Sequence, residues 1–201
     1  LNYIIPYISN KYTAIFDADH EPVLSNFPQA IAHLDRGYDI VQGTCMPVGT
    51  SFLANMSNVE FNQMYRVNHH SRQILWNFGI FGGTNGYFKT EVLKKLKFNP
   101  DRLTEDIDLS TRALLQGYKI YFDRKIVSFE YPPSSIKQLW KQRVRWAQGW
   151  LQVAFIYKDK IFTSFLSLRQ KIGICFLLPI REIALLISLQ AFPIAAAIYF
   201  H

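Results

Sequence analysis

Asp17-Ala18-Asp19 follows the β-rich run Tyr12–Phe16, at the point where the hydrophobic residues stop. Two carboxylates one residue apart at a strand end can point into one cavity and share a hard cation. A cation there suits chemistry in which a diphosphate departs, because the leaving group gains negative charge as its bond breaks. The same residues also make a solvated Asx turn, which requires no ligand. His20 follows directly, either as a further donor or as a loop histidine without a role.

Thr104-Glu105-Asp106 opens a helical pattern. Acidic residues in a first turn complement the helix dipole, with Thr as cap. A carboxylate there can also take the proton of a sugar hydroxyl if it faces the reacting carbon. Farther on, Gln142, Arg145, Trp146 and Gly149 follow i, i+3, i+4, i+7 spacing and share a helix face. Ile136, Trp140, Val144, Ala147 and Leu151 form a different, apolar stripe, expected to pack on the domain. Trp146 is then offered to something else, beside an amide and a guanidinium. An indole with polar neighbours suits a pyranose ring, and Arg143 and Arg145 suit diphosphate oxygens. The same helix would also serve as a basic amphipathic surface on lipid headgroups. Phe81-Gly82-Gly83-Thr84-Asn85-Gly86 is a turn where backbone can approach a ligand closely. His69-His70 reads as solvent-facing and receives no role.

The elements that must position these residues alternate. Tyr12–Phe16 reads as a strand, with Pro22 closing its end. A helix over Phe27–Arg36 stops at Gly37, and Tyr38–Thr44 reads as a buried strand. Phe52–Trp76 reads as helical, Asn77–Gly86 as a Gly-rich turn, and Thr90–Leu96 as a helix. The helix capped by Thr104 runs to Gly117, a usual stop residue. Lys119–Phe122 and Lys125–Glu130 read as short strands before Pro132-Pro133-Ser134-Ser135 starts a long helix. Such alternation predicts an α/β sheet with ligands at the strand ends.

A chain of 201 residues, 49% hydrophobic and rich in aromatics, can bury a sizeable core. Its net charge of +7 favours an anionic partner: nucleotide phosphate, nucleic acid or acidic leaflet. Cys45 and Cys175 lie far apart without a metal-binding pattern, which points to no disulfide and a reducing, cytosol-facing location. Ile161–Lys171 reads as a basic amphipathic helix for a membrane interface. Ile183–Phe200 is uncharged and just long enough to span a bilayer, although a buried core helix has the same composition. Lys158, Lys160, Arg169 and Lys171 before it put that side in the cytosol.

Together, D-A-D (17–19), F-G-G-T-N-G (81–86), T-E-D (104–106) and Q-R-V-R-W (142–146) resemble the processive family 2 glycosyltransferases of GT-A fold. These are the cellulose, mannan, hyaluronan and poly-N-acetylglucosamine synthases. The resemblance implies that Asp17 and Asp19 bind the diphosphate of a nucleotide-sugar through Mg²⁺ or Mn²⁺, and that Asp106 is the general base. It puts Trp146 under the terminal sugar, Gln142, Glu105, Gly83, Thr84 and Asn85 at the glycan acceptor, and Arg143 and Arg145 near the nucleotide. It further implies a cell-membrane protein, multi-pass at full length, whose catalytic domain faces the cytosol. Accessory synthase subunits are among its expected partners, and nucleic acid is not.

On this reading residues 1–157 are the C-terminal portion of a GT-A catalytic domain, and 158–201 an interfacial helix and transmembrane segment. Leu1-Asn2 resembles the end of the family's G-A-L-N segment. The base-binding strand and upstream membrane helices are therefore expected before Leu1, and the fragment alone is expected to be inactive. The expected reaction is a single inverting displacement on a UDP-sugar that extends a β-linked polysaccharide. Competing readings are a non-processive transferase acting on a lipid or short acceptor, a silent nucleotide-binding scaffold, and a metal-dependent phosphoryl-transfer protein or nuclease.

Overall fold

The computed structural model describes residues 1–180 and residue 198. Strand β1 (Tyr12–Ile15) is followed by β2 (His20–Pro22) and helix α1 (Phe27–Asp35). Next come β3 (Ile40–Pro47), α2 (Phe52–Phe61), a π-helical stretch (Asn62–His69) and α3 (His70–Trp76). β4 (Gly86–Lys89), α4 (Thr90–Leu96), α5 (Glu105–Leu115), β5 (Ile120–Glu130), α6 (Ile136–Thr163) and α7 (Leu168–Cys175) complete the order. The strands form one sheet in the order β1-β4-β3-β5-β2. Among the described residues only the β3–β5 pairing is parallel. The molecule is thus a mixed α/β domain.

β3 is the axis of this sheet. Seven of its eight residues are buried, as expected of a strand covered on both faces. One side of the sheet carries the main core, in which Ile80, Phe81, Phe88, Leu93, Ile107, Leu109, Val153 and Ile174 pack together. Removing a buried ring of this kind costs about 3–5 kcal/mol. Ser51 caps α2 by accepting from the Ala54 N–H, and Asn77, in the left-handed region at φ 57°, ends α3.

Several sequence expectations are corrected. His20–Pro22 is itself a strand rather than the close of one, paired with β5. β4 was not expected: only Gly86 fell in the predicted turn and residues 87–89 in no element, because four residues following Gly-rich chain give little periodicity. The two short strands after Gly117 are one, β5, whose pairing with β3 slips its register between Gln42 and Thr44.

Helix α6 packs through a different face from the predicted apolar stripe. Leu139, Gly149, Val153, Tyr157 and Ile161 are buried, whereas Ile136 and Trp140 are 69% and 71% exposed. The helix therefore packs on the same side on which it offers Trp146. Ile161–Lys171 is not one amphipathic helix either. Ile161–Thr163 completes α6, and α7 starts afresh from a capping box made by Ser167 and Gln170.

The basic residues of that segment have local work. Arg169 donates to the carbonyls of Ile74 and Leu75 at the end of α3, where exposed carbonyls attract a cation. Lys171 donates to the Phe162 carbonyl at 2.8 Å. Among the described residues no helix is long and apolar enough to cross a membrane. The predicted span at 183–200 lies outside the described residues except for Ile198.

Candidate active site

Asp17 and Asp19 sit between β1 and β2. Because β1 pairs with β4 up to Ile15 and Gly86, the chain leading into β4 runs beside the end of β1. The Asp17 N–H accordingly donates to Thr84 Oγ1 at 3.1 Å. The glycine loop itself is held from beneath. Buried Gln42 of β3 accepts from the Gly82 N–H at 2.8 Å and donates to the Thr84 carbonyl at 3.0 Å. Ser110 of α5 accepts from the Phe81 N–H at 2.8 Å and donates to the Phe81 carbonyl at 3.1 Å. Asn85, fully buried, donates to the carbonyls of Thr44 and Ile126.

These bonds carry the loop up to the start of α5, where Gly83, at φ +97°, lies against the Asp106 carboxylate. Asp106 Oδ1 accepts from the Ile107 N–H at 2.9 Å. Desolvation nonetheless dominates and, with Glu105 adding repulsion, pushes the carboxyl up to about 7. A carboxylate at that level is matched to proton transfer near neutral pH.

The two acidic segments and residues 82–84 of the glycine loop open on one cavity of about 650 Å³. Asp17, Asp19, Glu105, Asp106 and Glu130 supply its acidic side, and Gly82, Gly83 and Thr84 its backbone edge. Gln142, Arg145 and Trp146 reach it from α6, and Phe61, Tyr65 and His69 from the α2–α3 stretch.

The oxygen and nitrogen ligand atoms of Asp17, Asp19 and His20 lie within 4.8 Å of one another. The two carboxylates are exposed, hard donors, as a Mg²⁺ or Mn²⁺ site requires. Desolvation raises Asp17, and Asp19, Glu130 and Glu105 push in the same direction against His20. Such crowding of negative charge fits a cation. His20 is the weaker donor, since Nε2 is 2.6 Å from Glu130 Oε2 and Nδ1 is 3.3 Å from Ser128 Oγ.

Three residues stand elsewhere than expected. Arg143 does not line the cavity: its guanidinium lies 4.2 Å from the Trp146 ring centroid and its Nη2 is 2.6 Å from Glu60. Asn85 also lies outside the lining and fastens β3 to β5 from below. His69, expected in solvent, is 4% exposed and packs on Tyr65 and Phe122. Gln42 went unnoticed in the sequence because one glutamine inside an apolar strand carries no spacing signal.

Comparison with known proteins fits this geometry. Residues 13–200 match the model of "Glycosyl transferase family group 2". A probable glucomannan 4-beta-mannosyltransferase of Oryza sativa subsp. japonica is 30% identical over 144 residues, covering 69% of this chain and 25% of the relative. A poly-beta-1,6-N-acetyl-D-glucosamine synthase of Staphylococcus epidermidis is 31% identical over 101 residues, covering 50% of this chain and 24% of the relative. The chain thus spans about a quarter of the length of these curated relatives.

Among solved structures, the mannosyltransferase PcManGT of Pyrobaculum calidifontis, in complex with GDP-Man and Mn²⁺, superposes with a TM-score of 0.64. It shares 23% identity, with 87% of this chain and 46% of that one covered, so the likeness is one of fold. The α/β domain is of the GT-A type, and the chain belongs to glycosyl transferase family group 2.

Proposed function

We propose that this chain is part of a membrane-bound, inverting glycosyltransferase that moves a sugar from a nucleotide-sugar, a UDP-sugar by preference, onto a growing β-linked polysaccharide. One observation carries the reading: two exposed aspartates, a desolvated third and an indole line a single cavity large enough for a sugar. Asp17 and Asp19 would hold Mg²⁺ or Mn²⁺. When bound, that cation neutralises the charge the leaving diphosphate gains. Asp106 takes the proton of the acceptor hydroxyl as its oxygen bonds to the anomeric carbon and the bond from that carbon to the diphosphate breaks. A positioned base of this kind is worth about 10²–10⁴-fold.

Trp146 lies under the acceptor ring, while Gln142 and Glu105 hydrogen-bond its hydroxyls. Gly83 and Thr84 form the backbone edge, with Asn85 holding it from below. Arg145 faces the nucleotide side, and Arg143 steadies the indole rather than touching the donor.

Residues 1–157 form the catalytic unit on this reading, and 158–201 the membrane-proximal part. Exposed Phe162, Phe165, Leu168 and Phe176 support contact of that part with a membrane surface. The probable glucomannan 4-beta-mannosyltransferase and the poly-beta-1,6-N-acetyl-D-glucosamine synthase among its relatives support a polymeric product. The test is to incubate membranes carrying the full-length protein with labelled UDP-sugars and GDP-mannose. Long labelled chains from one donor are expected; single-sugar products would move the assignment to a non-processive transferase.

A further inference from the structure

Helix α6 is fastened at successive turns to the residues leading into α5. Arg145 Nη1 donates to the Leu103 carbonyl at 3.2 Å, and Gln152 Oε1 accepts from the Leu103 N–H at 3.2 Å. Leu103 is thus gripped from both sides by side chains two helical turns apart. Between them, Gly149 meets Thr104. A Cβ on Gly149 would fall 2.5 Å from Thr104 Oγ1 and 2.9 Å from its Cβ, with Cγ2 as close. Non-bonded carbons settle about 3.5–4.0 Å apart, so a larger residue fits only if α6 backs away.

Thr104 is turned toward this contact. It is 3% exposed, and its hydroxyl neither caps α5 nor finds another partner among the described residues. The expected helix cap is therefore given up, and the side chain spends its volume against α6. Three residues before Gly149 stands Trp146, and two residues after Thr104 stands Asp106. A displacement at the contact passes to both. Asp17 follows β1 and its N–H is held by Thr84 of the glycine loop, and Asp19 leads into β2, so neither rides on α6.

We propose that the Thr104–Gly149 contact is the seat that sets Trp146 at its working distance from Asp106, making Gly149 a positioning residue for the acceptor half of the reaction. This rests on the glycosyltransferase reading above. Gly149→Ala lifts α6 off the seat. Adding Thr104→Gly removes the three nearest atoms in the conflict, and glycine is tolerated at a helix cap. Gln152→Ala loosens the same helix without a clash.

The experiment measures UDP or GDP affinity in the presence of Mn²⁺ and acceptor-dependent kcat/KM, both in the full-length protein. Gly149→Ala is expected to lose about 100-fold in acceptor kcat/KM, the scale of a 1 Å misplacement. It is expected to lose far less in nucleotide affinity, since Arg145 is carried by α6 but Asp17 and Asp19 are not. The double variant is expected to regain most of that loss, and Gln152→Ala to fall about tenfold in acceptor kcat/KM, again with the smaller change in nucleotide affinity. Nucleotide affinity that falls in step with transfer, a double variant no better than the single, or an unaffected Gln152→Ala overturns the proposal. Wild-type protein that moves no sugar sinks the transferase reading and this inference with it, a result distinct from any failure confined to the variants.

Discussion

The Asp106 carboxylate faces the α-carbon of Gly83: a Cβ at that position would stand 3.2 Å from Asp106 Oδ2. The glycine loop and the first turn of α5 therefore close on each other at the one carboxylate that the cavity desolvates most strongly. Gly83 suits this place twice, by lacking a side chain and by tolerating φ +97°.

Desolvation of Asp106 predicts the pH response. Transfer should rise with pH through about 7, because only the ionised carboxylate accepts a proton. Stability runs the other way. The folded form keeps a proton that an ordinary carboxylate, at about 3.9, has released, so stability falls as pH climbs from about 4 to about 7. Asp106→Asn has no charge to bury and lacks this slope. Thermal unfolding should show its stability relative to the wild type rising between about pH 4 and about pH 7 and levelling off above. A gap constant with pH contradicts the raised carboxyl.

Trp146 is backed by the Arg143 guanidinium, itself paired with Glu60. Aromatic stacking contributes about 0.5–1.5 kcal/mol beyond the area it buries. Trp146→Ala should therefore raise the acceptor KM by up to about tenfold while nucleotide affinity stays put. Equal losses for donor and acceptor would argue against a sugar platform.

Asp17→Asn and Asp19→Asn each remove a negative charge from the cluster with His20. Both should weaken nucleotide binding measured calorimetrically with Mn²⁺, and a chelator should do the same to the wild type, reversibly. Binding that ignores the chelator would remove the cation from the account.

Buried Asp108 joins α5 to α6 by accepting from the Tyr157 hydroxyl at 2.8 Å, and it also pairs with Arg102 and Arg112. Hydrogen bonds to charged groups contribute about 1.5–3 kcal/mol, and Tyr157→Phe should lower the unfolding free energy by that amount. Denaturant titration checks it. An unchanged midpoint would mean that the two arginines already satisfy the carboxylate.

Helices with clear punctuation were legible from the residues alone: α1 before Gly37, α4 after Lys89, and α5 after Thr104. So were the D-A-D and T-E-D carboxylates and Trp146, since strand ends and helix spacing locate them. β2 and β4 were not, because strands of three and four residues show too little alternation. The packed face of α6 was misread for a physical reason. Its apolar residues run on two sides, and only tertiary contact decides which side is covered. Gln42, His69 and the Arg143–Glu60 pair depend on contacts distant in sequence, which no local pattern records.

Turnover of Asp106→Asn against wild type, in the full-length protein with its nucleotide-sugar, tests the assigned base most directly. The variant should bind nucleotide as the wild type does and transfer sugar about 10²–10⁴-fold more slowly. Near-normal transfer by Asp106→Asn would contradict the account.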